Sequence, residues 1–141
     1  SLIYSTAPPP AVAAAARKGL ALLREEDWRR EHLFALIARF RAGCERLAVD
    51  VGPPHAVRQT PHAATPIQPL VLGSEARALA MSEALWQRGY LVTAIRPPTV
   101  PAGSARLRIT ITAGHDEGQV DGLLDALAEA LATESNRSCV V

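Results

Sequence analysis

Apolar positions recur along this chain at two different periods, and the change from one to the other divides it. Ala11 to about Glu26 is rich in alanine and leucine, the strongest helix formers. Pro8, Pro9 and Pro10 precede it, where the first turn of a helix tolerates proline. Glu25, Glu26 and Asp27 predict a break. Leu33, Leu36, Ile37, Phe40, Cys44 and Leu47 then return at three- and four-residue spacing, which predicts a second helix with one apolar face. Arg29, Arg30, Arg39, Arg41 and Arg46 fall mostly off that face and read as its solvated side.

Val49 to Pro66 is a proline-rich connection, with a possible short strand near Ala48–Val51. Beyond it the period shortens. Ile67 to Gly73 reads as a strand, which Pro69 confines to an edge or a bulge. Ser74 is the expected N-cap of the next helix, and Gly89 its stop. Ala78, Met81 and Leu85 form the stripe of that helix, widened by Leu79 and Trp86. Tyr90–Ile95 is the next predicted strand. From Arg106 to Thr112 the alternation is strict: Leu107, Ile109 and Ile111 point one way, and Arg106, Arg108, Thr110 and Thr112 the other. The last helix is expected from His115 to about Ala132, with Asp116 and Glu117 in its first turn. Thr133 to Val141 reads as a polar, frayed tail.

The sum is an α+β fold: a small, mostly antiparallel sheet covered on one face by helices and preceded by a long helical segment. The expected divisions are a linking segment with helices at 1–47, an α+β domain at 48–132 and a flexible tail at 133–141. The chain has 141 residues, 21% charged, with a net charge of +1. So near-neutral a balance gives no electrostatic case for nucleic acid or an anionic membrane. No apolar run is long enough for a membrane span. His55 and His62 lack further ligands at a useful spacing, so no metal is expected. Cys44 and Cys139 match no redox or metal spacing, and a buried Cys44 fits a reduced, cytoplasmic setting. Met81 is the only methionine, so the chain is expected to be a piece of a longer polypeptide or a processed product.

Candidate chemistry concentrates between Ala94 and Ala113. Arg106 and Arg108 share one strand face, where an arginine meets either solvent or an anion. A guanidinium on a rigid strand offers a fixed fork suited to a carboxylate or phosphate. Pro97, Pro98 and Pro101 stiffen the neighbouring loop before any ligand arrives, and Thr99 adds a hydroxyl. A tight structural hairpin would contain the same residues, so both readings stand.

The segment Thr93-Ala94-Ile95-Arg96-Pro97-Pro98-Thr99-Val100-Pro101-Ala102-Gly103, continued by Arg106-Leu107-Arg108-Ile109-Thr110, resembles the C-terminal signature of the α-oxoamine synthases. These are fold-type I pyridoxal-phosphate enzymes. Within them the loop form is similar to the 8-amino-7-oxononanoate synthase family of biotin synthesis. Ile3-Tyr4-Ser5-Thr6 and Ile67-Gln68-Pro69-Leu70 extend the resemblance, which covers about Leu2 to Leu131. It implies a cytoplasmic homodimer that uses pyridoxal 5'-phosphate to condense L-alanine with pimeloyl-CoA or a pimeloyl-carrier protein. It implies substrate-binding roles for Arg108, toward the amino-acid carboxylate, and for Thr99. It implies that Ser5 and Thr6, the latter foremost, reach the cofactor phosphate across the dimer interface. Arg96 falls near the site with no assigned role, and Arg106 stays a surface residue.

The family's cofactor lysine lies upstream of this region. Lys18 is the only lysine present, beside Arg17 in the alanine-rich helix. The chain is therefore expected to be the C-terminal portion of such an enzyme, with no catalytic residue of its own and no activity alone. The alternative is a non-catalytic small-molecule-binding or regulatory module. A helical scaffold would explain the apolar stripes but not the proline-braced arginine strand.

Overall fold

A computed structural model describes residues 7–49, 51 and 65–138. In chain order the elements are helices α1 (Pro10–Glu25) and α2 (Trp28–Arg46), strand β1 (Ile67–Gly73), helix α3 (Glu75–Trp86), strands β2 (Thr93–Ile95) and β3 (Ala105–Thr110), and helix α4 (Glu117–Ser138). They divide into two compact units, Ser1–Glu31 and His32–Val141.

In the first unit α1 follows the prolines as expected, with Pro9 as its N-cap. It buries none of its residues and leaves Val12, Leu20 and Leu23 exposed. Glu26 and Asp27 break the helical run and form ion pairs with Arg29 and Arg30. The Arg29 guanidinium stacks over Trp28, 4.7 Å from the ring centroid.

The second unit is built on a three-stranded antiparallel sheet in the order β1-β3-β2. The antiparallel pairing of β2 with β3 and the edge position of the proline-bearing β1 are as the sequence predicts. Leu70 and Leu72 of β1, and Leu107 and Ile109 of β3, are buried. The helical stripes Leu36, Ile37, Phe40 and Cys44 of α2, Ala78, Met81 and Leu85 of α3, and Val120, Leu124 and Leu127 of α4 join them in one core. Burial pushes the Cys44 thiol up to about 12, so it behaves as an apolar core group.

The ends of the helices follow from local chemistry. The Ser74 hydroxyl accepts the Arg77 N–H at 3.2 Å and caps α3. Gly89, at φ +87°, reverses the chain after it, and the Tyr90 N–H returns to the Leu85 carbonyl at 2.9 Å. Asp116 and Gln119 form a reciprocal capping box: Oδ1 of Asp116 accepts the Gln119 N–H, and Oε1 of Gln119 accepts the Asp116 N–H. This sets the start of α4 at Glu117 rather than His115.

Several expectations are corrected. Leu79 and Trp86 do not widen the α3 stripe; both are exposed. Tyr90–Val92 is not strand, because the turn after Gly89 occupies it and the Val92 carbonyl accepts the Ser82 hydroxyl at 2.6 Å. No strand forms at the described residues of 48–51; Ala48 takes φ +53° and ends the α2 turn. Arg41 is not solvated, since it donates to Oε1 of the buried Gln68 at 2.8 Å. The helix α4 runs past Ala132 to Ser138. His55, His62, Cys139, Ser5 and Thr6 lie outside the described residues.

Two features of the packing between α2 and α4 are testable. A Cβ on Gly43 would lie 2.3 Å from Cδ1 of Leu124. Gly43→Ala is therefore expected to destabilise the fold by roughly 1–3 kcal/mol in thermal or urea unfolding, and adding Leu124→Ala should return part of the loss. Arg39 forks onto Asp121, with Nε and Nη2 each 2.7 Å from a carboxylate oxygen. That contact holds the Asp121 carboxyl below its ordinary value. Its stabilisation is then complete above about pH 4, the unfolded carboxyl range, and is lost as pH falls through the lower folded value. Melting curves on the acid side should show Asp121→Asn lacking that part of the decline.

Candidate functional site

The middle strand β3 pairs on both edges and alternates without interruption, so it sorts its side chains onto two faces. Leu107 and Ile109 enter the core. Arg106 and Arg108 stand on the opposite, open face. In register, Arg108 is opposite Pro69 on one side and Thr93 on the other, and Arg106 is opposite Val71 and Ile95. Directly opposed residues share a face, so the arginines are flanked by largely apolar neighbours.

The loop joining β2 to β3 closes on itself. The Thr99 N–H donates to the Arg96 carbonyl at 3.1 Å, across a cis bond between Pro97 and Pro98. Both the N–H and the hydroxyl of Ser104 donate to the Pro101 carbonyl. Gly103 is at φ +77°, a conformation that favours glycine. Arg96 is ion-paired through Nη1 with Glu75, in the first turn of α3. The pair is about half exposed, so its value lies in tethering the loop more than in energy.

A cleft of about 390 Å³ opens on this face. Thr65, Ile67, Pro69 and Ile95 line it together with both arginines. Elsewhere among the described residues of this unit, four arginines are ion-paired: Arg39 with Asp121 and Glu117, Arg77 with Glu134, Arg88 with Glu129, and Arg96 with Glu75. Neither Arg106 nor Arg108 has an ion pair among the described residues. Two guanidiniums without an ion pair among the described residues, beside apolar walls, give this face the charge and polarity that would suit an anion with apolar parts. Two hollows of similar size, about 330 and 340 Å³, lie elsewhere. The first contains no arginine or lysine, and in the second Arg88 and Glu134 are already paired.

The expected site residues are brought together only in part. Arg108 is exposed at the cleft as the alternation predicts. Thr99 is exposed on the turn beyond β2, nearer the Arg106 end of β3, and is not among the residues lining the cleft. Arg106 departs from the solvated reading: it is half-buried, lines the cleft and donates Nε to the Ser104 carbonyl at 3.0 Å. Ile67, Pro69 and Ile95 were not singled out in the sequence as walls of a site. Their alternation with buried neighbours was the available signal, but it needs the register to show which arginine they flank.

Residues 1–127 match the family model for aminotransferases of class I and II. A curated relative, 8-amino-7-oxononanoate synthase of Pseudomonas putida KT2440, is 57% identical over 127 residues, which make up 90% of this chain and 30% of that protein. Relatives from Stutzerimonas stutzeri and Halorhodospira halophila carry the same name, each at 56% identity. The chain thus spans about 30% of the length of the curated relatives it matches. Among solved structures, one of SPT with a PLP internal aldimine superposes on 90% of this chain with a TM-score of 0.78 and 27% identity, covering 30% of that protein. The 8-amino-7-oxononanoate synthase of Francisella tularensis shares the fold at a TM-score of 0.72 and 23% identity, over 94% of this chain and 36% of its own.

Proposed function

Since the chain belongs to the aminotransferase class I and II family, we propose that it is the C-terminal part of a pyridoxal-phosphate-dependent acyltransferase. The reaction is the condensation of L-alanine with a pimeloyl thioester, carried by coenzyme A or a carrier protein, to give 8-amino-7-oxononanoate for biotin synthesis. The names and identities of the relatives support the choice of reaction. The observation that carries it is Arg108, carried on the middle strand, without an ion pair among the described residues and lining a cleft with apolar walls.

In this reading Arg108 receives the carboxylate of alanine through two parallel N–H···O bonds. Each charge-assisted bond contributes about 1.5–3 kcal/mol. The strand fixes the backbone from which the guanidinium extends, and a two-point grip on the carboxylate would orient the amino acid as well as bind it. Thr99 serves as a second substrate contact from the stiff loop. Ser5 and Thr6 serve the cofactor phosphate across the interface of a homodimer. A free Cys44 thiol agrees with a cytosolic enzyme. No helix among the described residues is long and apolar enough to cross a membrane.

The described residues do not by themselves fit the cofactor. Its covalent attachment requires a lysine amine. Lys18 is exposed on α1, and it is not part of the cleft that holds Arg108. The reading therefore assigns the attachment lysine to a portion of the whole protein outside this chain. The cofactor, when bound, supplies the electron sink for the reaction, and this chain supplies position and charge complementarity.

Two outcomes test this reading. In the whole protein, Arg108→Ala should raise the KM for alanine by about ten- to a hundredfold while cofactor absorbance and thermal stability stay near wild type; unchanged alanine kinetics would sink it. The chain of 141 residues mixed with pyridoxal phosphate should yield no stoichiometric borohydride-trapped adduct at Lys18 by peptide mass mapping.

A further inference from the structure

Arg106 is a second cation in the cleft, and alanine binding gives it no role. It lies two residues before Arg108 on the same face of β3, which sets their Cα atoms about 6.5 Å apart. Its Nε is committed to the Ser104 carbonyl at 3.0 Å, which ties the guanidinium to the base of the loop. Its two Nη groups have no partner among the described residues. Ile95 stands opposite it on β2, and Ile67 and Pro69 also line the cleft, Pro69 opposite Arg108. Half-burial beside apolar walls strengthens the attraction of such a group for an anion above its value in water.

We infer that Arg106 binds the distal carboxylate of the acyl substrate and so selects dicarboxylic over monocarboxylic acyl thioesters. The inference rests on the synthase reading. The chemistry of that product supplies the argument. A 7-oxononanoate chain keeps a carboxylate at its far end, while its amine and ketone mark the end formed from alanine and the thioester. The substrates together therefore carry two carboxylates, one on alanine and one at the far end of an apolar acyl chain. The cleft presents two uncompensated guanidiniums with apolar walls alongside them. Arg108 is assigned to alanine, and Arg106 remains for the acyl chain. The apolar residues that flank the two arginines, Ile95 and Val71 beside Arg106 and Pro69 beside Arg108, offer contact to the methylenes of the acyl chain.

The experiment compares heptanedioyl and heptanoyl thioesters of the same carrier in the whole protein, with alanine saturating. Wild type is expected to favour the diacid. Arg106→Gln keeps a donor for the Ser104 carbonyl and removes the charge. It should reduce the preference by about ten- to a hundredfold, through the KM for the diacid, while the KM for alanine and the rate with the heptanoyl thioester stay constant. Arg106→Lys, a charge without a fork, should restore part of the preference, and it is the variant read if Arg106→Gln does not fold. An unchanged preference overturns the inference. So does an equal loss on both thioesters, which would assign Arg106 to the carrier, or a wild-type enzyme indifferent to the distal carboxylate. A wild-type protein that condenses neither thioester with alanine defeats the synthase reading itself, and this inference with it; Arg108→Ala, which should affect alanine alone, separates the two kinds of failure.

Discussion

The structure of the second unit depends on one strand being paired on both sides. The backbone of β3 is held by β1 along one edge and by β2 along the other, so it can neither slip nor rotate without breaking two ladders. A slip of one residue would exchange its faces, putting Arg106 and Arg108 into the core and Leu107 and Ile109 into solvent. The cost of burying two unpaired charges makes that register inaccessible. The same constraint that builds the core therefore fixes the face and backbone positions from which the two arginines extend. Binding geometry and folding stability come from a single alternation.

That alternation was legible in the sequence, as were the Ser74 cap, the Gly89 stop and the edge position of Pro69. Each has a local cause that needs no knowledge of what lies across the core. The parts that were not legible depend on distant partners. A helical period shows where a stripe is centred but not how wide the neighbours make it, so Leu79 and Trp86 were placed on the wrong side. The apolar run Tyr90–Val92 has strand composition, but the return of the chain onto the end of α3 takes up its backbone groups. Charge is the least legible feature. Arg41 and Arg106 look like solvated residues in a list, and only the fold shows that one meets buried Gln68 and the other a cleft. The arginine-bearing cleft was half readable: the strand face declared its arginines, while its apolar walls appear only with the register.

The distribution of ion pairs separates support from site. Arg39, Arg77 and Arg88 each reach an acid on α4, and Arg96 reaches Glu75 on α3. Exposed pairs of this kind contribute little individually. Their effect is to pair these arginines with acids, whereas Arg106 and Arg108 on the open face of the sheet have no ion pair among the described residues. A chain of net charge +1 can thus present a locally cationic surface without a basic composition.

Pro69 and the shortness of β2 have a consequence for how such a chain behaves in company. A sheet of three strands has two unprotected rims, and each is a template for adding a strand from another molecule. Here one rim carries a proline, which has no amide hydrogen to donate, and a register irregularity between Val71 and Gly73. The other rim is only three residues long. Neither offers a flat run of donors and acceptors long enough to recruit an intruding strand. Both rims of the described sheet are therefore poorly suited to growth by added strands.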